Sequence, residues 1–260
     1  MRGIVILLFA LVCLAVQVDA GEIRVAAAAD TQFVLPRLVA IYEQRTGNQV
    51  SISFGSSGNL AAQIRSGAPF DVFLSADTEY VDDLLKSGEA LPRSAYVYAQ
   101  GRLVMWVPED SGLDLSRGIK LLLSPDVKRI AIANPQHAPY GRAAEAALRN
   151  AGIYDQVSSK LVLGENISQT FQFVSSGNAD LGLVSYSLAK SQRAKGRYAL
   201  VPQNLYPPIK QSAVVITQSQ ARTDALAFLN FLKTGEAQNM LRDAGFEPPA
   251  HEQPAKPKQP

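Results

Sequence analysis

Cysteine and histidine are scarce in this sequence of 260 residues, which has one cysteine and two histidines. No cluster of His, Cys or paired carboxylates has the spacing of a metal site, which excludes a metal-cation binder. The cysteine lies in the first twenty residues, so the rest of the chain must be stabilised by apolar burial rather than by disulfides. A strong excess of one charge is also absent. The net charge is +2 and the basic residues are scattered, which excludes a nucleic-acid partner.

The two ends of the chain differ from the part between them. Met1-Arg2 is followed by the almost wholly apolar run Ile4–Val16 and then by small residues up to Ala20. This pattern is typical of a secretory signal peptide, and the run is too short for a stable membrane anchor. We therefore expect an exported protein that is cleaved near Ala20. Residues 248–260 are rich in Pro and Lys and lack apolar periodicity, which predicts a disordered tail.

Between these ends, short β-branched runs alternate with helical patterns, which predicts an α/β protein with parallel sheets flanked by helices. The predicted strands are Ile23–Ala27, Val50–Phe54, Val72–Leu74, Leu103–Val107, Ile130–Ala133, Leu181–Val184 and Ala213–Ile216. The predicted helices are Leu38–Arg45, Leu60–Arg65, Tyr80–Lys86, Arg142–Ala151, Ser168–Ser175, Thr223–Lys233 and Glu236–Ala244.

Two segments indicate that the chain forms two lobes. Leu103–Val107 is an extended run bounded by Gly and Pro, and Pro202–Pro208 interrupts the helical pattern before a strand returns. Two such crossings predict a discontinuous first lobe, 21–100 with 212–247, and an inserted second lobe, 101–211. Ligands of open α/β sheets bind beyond the carboxyl ends of the strands, and a cleft between two lobes collects those ends.

The turns after the predicted strands contain many hydroxyl-bearing and small residues. Ser56-Ser57-Gly58 lies between a strand and a helix, where unpaired backbone N–H groups and the positive end of the helix dipole favour a small anion. Serine is also an ordinary helix N-cap, so this turn alone is weak evidence. Further turns of the same kind contain Asp30, Tyr140, Ser168, and Ser185 with Tyr186.

Each of these residues also has an interpretation without a ligand. Asp30 and Ser168 are suitable helix caps, Tyr140 is suitable for packing at a lobe edge, and Tyr186 is suitable for the core. The recurrence of the pattern in several turns, rather than any single turn, favours an anion site in the cleft.

Several motifs occur in the order found in a known family. They are Ala26–Asp30, Gly55–Gly58, Ser66–Asp77, Asn134–Gly141 and Asp180–Val184. On these motifs the chain, from about Glu22 to Phe246, resembles the molybdate-binding periplasmic component of ABC importers. The resemblance implies a two-lobed type II periplasmic binding protein fold with the ligand cleft between the lobes. It also implies a periplasmic monomer that captures molybdate or tungstate for an ABC permease, with no cofactor and no enzyme activity.

In that family neutral hydroxyls and backbone N–H groups hold the anion. The resemblance assigns this role to Asp30, Ser57, Tyr140, Ile167 and Ser185. Ile167 would contribute only its backbone N–H. At the last position the neighbouring Tyr186 is an alternative to Ser185, because some members carry a tyrosine there.

Asp30 departs from the family, in which Ser or Asn is more usual at this position. A carboxylate about 4 Å from a unit negative charge costs about 4 kcal/mol at an effective dielectric constant of 20. Three arrangements avoid this repulsion: the side chain turns away and caps the helix, Asp30 is protonated, or the ligand carries a proton that Asp30 accepts. We expect the first, because Thr31 and the helix N–H groups offer local partners.

Two other functions remain to be compared with molybdate binding. The third arrangement of Asp30 would favour hydrogen phosphate or a similar oxyanion, and sulfate is a further alternative. An exported hydrolase is less favoured because the chain has no Gly-x-Ser-x-Gly motif. A dyad of His137 and Ser57 is conceivable, but no orienting acid occurs at a recognisable spacing.

Overall fold

The computed structural model describes residues 21–192 and 195–249. The predicted signal peptide, 1–20, and residues 250–260 of the predicted tail lie outside the described residues. The described residues form two five-stranded sheets flanked by helices, which confirms the α/β class. In these ranges no helix has the length and hydrophobicity needed to cross a membrane.

The strands are β1 (Glu22–Ala28), β2 (Gln49–Gly55), β3 (Val72–Ser75), β4 (Tyr96–Gly101), β5 (Leu103–Pro108), β6 (Ile130–Ala133), β7 (Leu161–Gly164), β8 (Leu181–Ser185), β9 (Gly196–Leu200) and β10 (Ile209–Val215). The α-helices are α1 (Leu35–Thr46), α2 (Ser57–Arg65), α3 (Thr78–Ser87), α4 (Pro139–Asn150), α5 (Tyr154–Val157), α6 (Ile167–Ser175), α7 (Tyr186–Ser191), α8 (Arg222–Leu232) and α9 (Gly235–Asp243).

The first sheet has the strand order β2-β1-β3-β10-β4. β1 pairs with β2 and β3 in parallel, whereas β10 runs antiparallel to both β3 and β4. Its central strands are buried on both faces along much of their length and read there as apolar runs, as Val25–Ala28 shows. The carboxyl ends of the parallel strands β1, β2 and β3 therefore lie at one edge of this sheet.

The second sheet has the strand order β7-β6-β8-β5-β9. β6 pairs in parallel with β7 and β8, and β5 runs antiparallel to β8 and β9. Trp106 on β5 is fully buried, and its ring centroid lies 4.5 Å from that of Phe171 on α6. This contact fixes α6, and with it the turn that precedes α6, against the sheet.

The prediction of parallel sheets was wrong, because both sheets are mixed. β4 leads directly into β5 through Arg102, and the short antiparallel strands β4 and β9 were not predicted at all. Antiparallel neighbours need no crossover helix, so the alternation of strands and helices does not reveal them. The first sheet takes strands from 22–101 and 209–215, and the second from 103–200. The predicted lobe boundaries themselves stay a prediction.

All seven predicted helices begin one to three residues before the predicted residue, and in two of them a proline stands in the first turn. The first, predicted as Leu38–Arg45, begins at Leu35 as α1 with Pro36 in its first turn, after a 3-10 helix over Ala29–Thr31. α4 begins at Pro139 rather than at Arg142. Proline lacks an N–H group and has a helical φ, so the first turn of a helix is the place where it is tolerated.

Candidate functional site

A small cavity lies where the carboxyl ends of the strands of the first sheet meet the helix starts of the second sheet. The free space between its lining atoms is about 210 Å³, counted out to the open solvent at its mouth. Its lining residues are Ala28, Ala29, Asp30, Gly55, Ser56, Ser57, Ala76, Ala138, Pro139, Tyr140 and Ile167. This set contains no Lys, Arg or His, and alanine and glycine leave the backbone accessible. The site therefore offers neutral groups and helix N-termini rather than positive charges.

Ser57 is the first residue of α2 and is fully buried. Its Oγ accepts a hydrogen bond of 2.9 Å from the backbone N–H of Ala76. Among the described residues the hydroxyl proton makes no hydrogen bond, and the N–H of a first helical residue has no partner within the helix. Ser57 thus presents two donors to the cavity that it lines.

The backbone N–H of Ile167 becomes available because of the way in which α6 is capped. The Asn166 side chain accepts hydrogen bonds from the N–H groups of Ser168 and Gln169, at 3.0 and 3.1 Å. The N–H of Ile167, the first helical residue, has no partner within the helix. The dipole of this nine-residue helix adds positive potential at the same point.

Tyr140 is buried near the beginning of α4, and its Oη has no hydrogen-bond partner. A β-carbon on Gly101 would overlap Tyr140 Oη, so glycine at position 101 is what admits the phenol. Burial and the nearby Asp30 carboxyl raise the pKa of Tyr140 well above its ordinary value. The phenol therefore stays protonated, and it faces the Asp30 carboxyl without a hydrogen bond of ordinary geometry to it.

Asp30 is 1% exposed and has no charged partner. Its Oδ2 accepts a 2.8 Å hydrogen bond from Gln211 Nε2, whereas Oδ1 is buried without a hydrogen bond. Burial raises the pKa of Asp30 to about 7, although Tyr140, Gln211 and its own backbone N–H act in the opposite direction. The expectation that Asp30 caps a helix was wrong. The 3-10 helix over Ala29–Thr31 has no side-chain cap, and the carboxyl instead faces Gln211 on β10.

Sequence reasoning missed Gln211 and Tyr98, which continue this buried cluster. Tyr98 Oη donates a 3.3 Å hydrogen bond to Gln211 Oε1, so the amide of Gln211 is oriented with its N–H toward Asp30. Burial, and after it the Asp30 carboxyl, raise the pKa of Tyr98. The one signal available was a glutamine two residues before the predicted strand Ala213–Ile216.

Ser185 does not line the cavity, unlike the other predicted residues Asp30, Ser57, Tyr140 and Ile167. It is the N-cap of α7, where its Oγ accepts a 3.3 Å hydrogen bond from the N–H of Leu188 and lies 3.1 Å from Ser187 Oγ. The alternative Tyr186 also lies outside the cavity lining, with its ring centroid 5.2 Å from that of Tyr198 and the two ring planes tilted by 58°. Contact between a ligand and any of these residues stays a prediction.

Hydrogen bonds join the two sheets' segments around the cavity. The Gly58 N–H donates to the His137 carbonyl at 2.9 Å, and Arg142 on α4 bonds Asp77 and, at 2.6 Å, Tyr80 on the other side. Ser168, suggested as a cap, instead donates to the Ala29 carbonyl at 3.1 Å. In this structure the segments on the two sides of the cavity are therefore in direct contact.

The suggested dyad of His137 and Ser57 does not form. His137 Nδ1 lies 3.0 Å from Ser56 Oγ, and its Nε2 lies 3.8 Å from a Glu165 oxygen, while Ser57 Oγ is bonded to Ala76. A nucleophile needs its base within hydrogen-bond reach. Within the described ranges no group of three or more His, Cys, Asp or Glu is arranged to hold a metal ion.

Comparisons with known proteins agree with this geometry. Residues 23–247 match the family model of the bacterial extracellular solute-binding proteins. The molybdate-binding protein ModA of Rhodobacter capsulatus is 39% identical over 233 residues, which cover 90% of this chain and 91% of that protein. ModA of Azotobacter vinelandii is 37% identical over 235 residues, 90% of this chain and 92% of that protein. The solved Azotobacter vinelandii periplasmic molybdate-binding protein aligns with a TM-score of 0.83 and 36% identity, covering 88% of this chain and all of that one.

Proposed function

The chain belongs to the bacterial extracellular solute-binding protein family, and we propose that it captures molybdate or tungstate for an ABC importer. The proposed ligand is the one named for relatives that are 39% and 37% identical over nine-tenths of this chain. The proposed role needs a binding site and a permease partner, but no cofactor, no nucleic acid and no catalysis.

One observation carries the proposal: a cavity that presents neutral hydrogen-bond donors at three helix N-termini. A fully deprotonated tetrahedral oxyanion only accepts hydrogen bonds, so a site of donors favours it over anions that must also donate. We propose that Ser57, Tyr140 and the N–H of Ile167 bind the ion. Ser185 would act only indirectly, through the cap of α7 and its contact with Ser187.

The same proposal includes closure of the lobes, the location of the protein and its oligomeric state. The predicted lobes, 21–100 with 212–247 and 101–211, would close on the ion and present the closed form to the permease. The proposed location is the periplasm, reached through cleavage of the signal peptide near Ala20, and the proposed state is a monomer. The family and the apolar run at the beginning of the sequence support the proposed export.

A protonated oxyanion such as hydrogen phosphate is the second candidate. The observation that favours it is the buried Asp30 Oδ1, which has no hydrogen bond and as a carboxylate would accept the proton of such a ligand. An ionised Asp30 would therefore accept a hydrogen bond from hydrogen phosphate but would repel the fully deprotonated molybdate ion.

The proposal is tested by the melting temperature of the mature chain with molybdate, tungstate, sulfate and phosphate. A ligand at about 100 times its dissociation constant stabilises the folded state by about 2.7 kcal/mol, which raises the melting temperature by roughly 5–10 °C for a chain of this size. We expect that shift with molybdate and tungstate at micromolar excess and not with sulfate or phosphate. A shift with phosphate and none with either metal oxyanion would contradict the assignment.

A further inference from the structure

Asp30 is the one acidic side chain in the lining of the cavity, and no cation shares the lining with it. We propose that Asp30 enters the complex as an uncharged carboxylic acid, so that a dianion binding to a molecule with ionised Asp30 is accompanied by uptake of one proton by that carboxylate. This inference rests on the proposed function, since it concerns how the same site accepts a fully deprotonated oxyanion. It makes Asp30 a donor to the ligand and couples affinity to pH.

The geometry supports a donor at this position. Asp30 Oδ2 is occupied by Gln211 Nε2 at 2.8 Å, which leaves Oδ1 as the atom available to a ligand. Asp30 Oδ1 and Tyr140 Oη are both buried, both lack a hydrogen bond, and both belong to residues that line the cavity. An anion oxygen between them would accept one hydrogen bond from the phenol and one from the carboxylic acid, and both vacant positions would be filled. An ionised carboxylate would repel the same anion.

The charges around Asp30 do not hold it in the ionised form. The groups that face its carboxyl are Gln211 on β10 and Tyr140 on α4, with Tyr98 on β4 behind Gln211, and all three are neutral. Ser168 Oγ on α6 lies 3.1 Å from the Ala29 carbonyl and 2.7 Å from Gln32 Oε1, and Ser187 Oγ on α7 donates to the Asp30 backbone carbonyl at 2.8 Å, so neither hydroxyl is bonded to the Asp30 carboxyl.

Charged side chains line a surface groove, here called the outer groove, that Asp30 also borders. They are Arg37 on α1, Lys190 on α7 and Asp243 on α9. None of these three is among the groups that shift the pKa of Asp30. Protonation is therefore governed by burial and by the anion itself.

The sign of the pH effect follows from this arrangement. With a pKa of about 7 in the free protein, Asp30 is largely protonated at pH 6 and largely ionised at pH 8. If only the acid form binds a dianion, the affinity is flat below neutral pH and falls as pH rises through the pKa. The expected loss between pH 6 and pH 8 is about tenfold. An asparagine amide donates a hydrogen bond without taking up a proton, so Asp30→Asn removes the dependence of affinity on pH.

Calorimetric titration with molybdate at pH 6, 7 and 8, in buffers of different ionisation enthalpy, measures both affinity and proton uptake. For the wild type we expect uptake of about half a proton per ion at pH 7 and nearly one at pH 8, with the tenfold loss of affinity. For Asp30→Asn we expect no uptake and a flat profile. The matched control is Asp243→Asn, the same change on an exposed side chain of the outer groove, which should behave as the wild type.

The outcomes separate this inference from the proposed function. Molybdate binding by wild type and Asp30→Asn with no proton uptake in either would overturn the role of Asp30 and leave the proposed function intact. Hydrogen phosphate bound more tightly than molybdate, and lost in Asp30→Asn, would mean that Asp30 is an acceptor. If neither protein binds molybdate or tungstate at any pH, the proposed function is wrong and the inference falls with it. The wild-type measurement alone decides the matter if the variant does not fold.

Discussion

At the scale of single residues, Ser57 has a structural and a binding task at once. Its Oγ accepts the N–H of Ala76, and its proton is available to a ligand. Ser57→Ala should weaken molybdate binding by about 1.5–3 kcal/mol, the range for a hydrogen bond to a charged group. The same change leaves the buried Ala76 N–H unpaired, which costs about 1–3 kcal/mol of folding stability. Titration calorimetry and chemical denaturation of the variant measure the two effects separately.

Ser94→Ala is the matched control for Ser57→Ala. Ser94 is also a buried serine whose Oγ accepts a backbone N–H, that of Val215 at 3.0 Å, but it lies at the far edge of the first sheet and not in the cavity. It should lose a similar amount of stability with unchanged affinity. If the two variants lost affinity equally, the Ser57 hydroxyl would be only a structural group.

Cavity residues could be predicted from the sequence where a local turn determines their position. Ser57 and Ile167 stand at helix starts, and Tyr140 follows a proline that fixes one. The environment of Asp30 was not predictable in this way. Its partner Gln211 is 181 residues away along the chain, and the local preference of Asp for capping was overridden by burial.

At the scale of elements, α2 approaches the second sheet's segment so closely that only glycine fits at its second position. A β-carbon on Gly58 would lie 2.7 Å from the His137 carbonyl oxygen and from Tyr80 Oη. Gly58→Ala should therefore hinder closure, and the cost of overpacking, about 1–3 kcal/mol, corresponds to roughly a 5- to 150-fold loss of molybdate affinity. Folding stability without ligand should not fall, because alanine favours a helix over glycine. Affinity and melting temperature of the variant are the measurements.

Gly235→Ala provides the comparison for Gly58→Ala. Gly235 is also in the first turn of a helix, α9, but a β-carbon there would meet nothing within 4 Å. This variant should bind as tightly as the wild type. Equal affinity of both variants would mean that the approach of α2 to His137 is not needed for binding.

Elements with their own start and stop signals were predicted well from the sequence. Gly47 and Gly88 end α1 and α3 in the left-handed conformation, as expected for glycine after a helix. The strands β4, β7 and β9 were missed. Their pairing is decided by partners from distant parts of the chain, which a local pattern does not contain.

At the scale of the whole molecule, the two sheets contribute different halves of one site. The first supplies Asp30 and Ser57 after β1 and β2, and the second supplies Tyr140 and Ile167 at the starts of α4 and α6. The order of the turns along the sequence was enough to predict a shared anion site. The antiparallel course of β5 and β10, and with it the contact between β10 and Asp30, required the three-dimensional structure.

The central claim is that a tetrahedral dianion is held in this cavity by neutral donors alone. The most direct test is a crystal structure of the protein grown with molybdate, with anomalous data at the molybdenum edge. The account predicts one strong anomalous peak inside the cavity, with anion oxygens within hydrogen-bond distance of Ser57 Oγ, Tyr140 Oη and the Ile167 N–H. A peak in the outer groove beside Arg37 and Lys190, or an empty cavity at saturating molybdate, would contradict it.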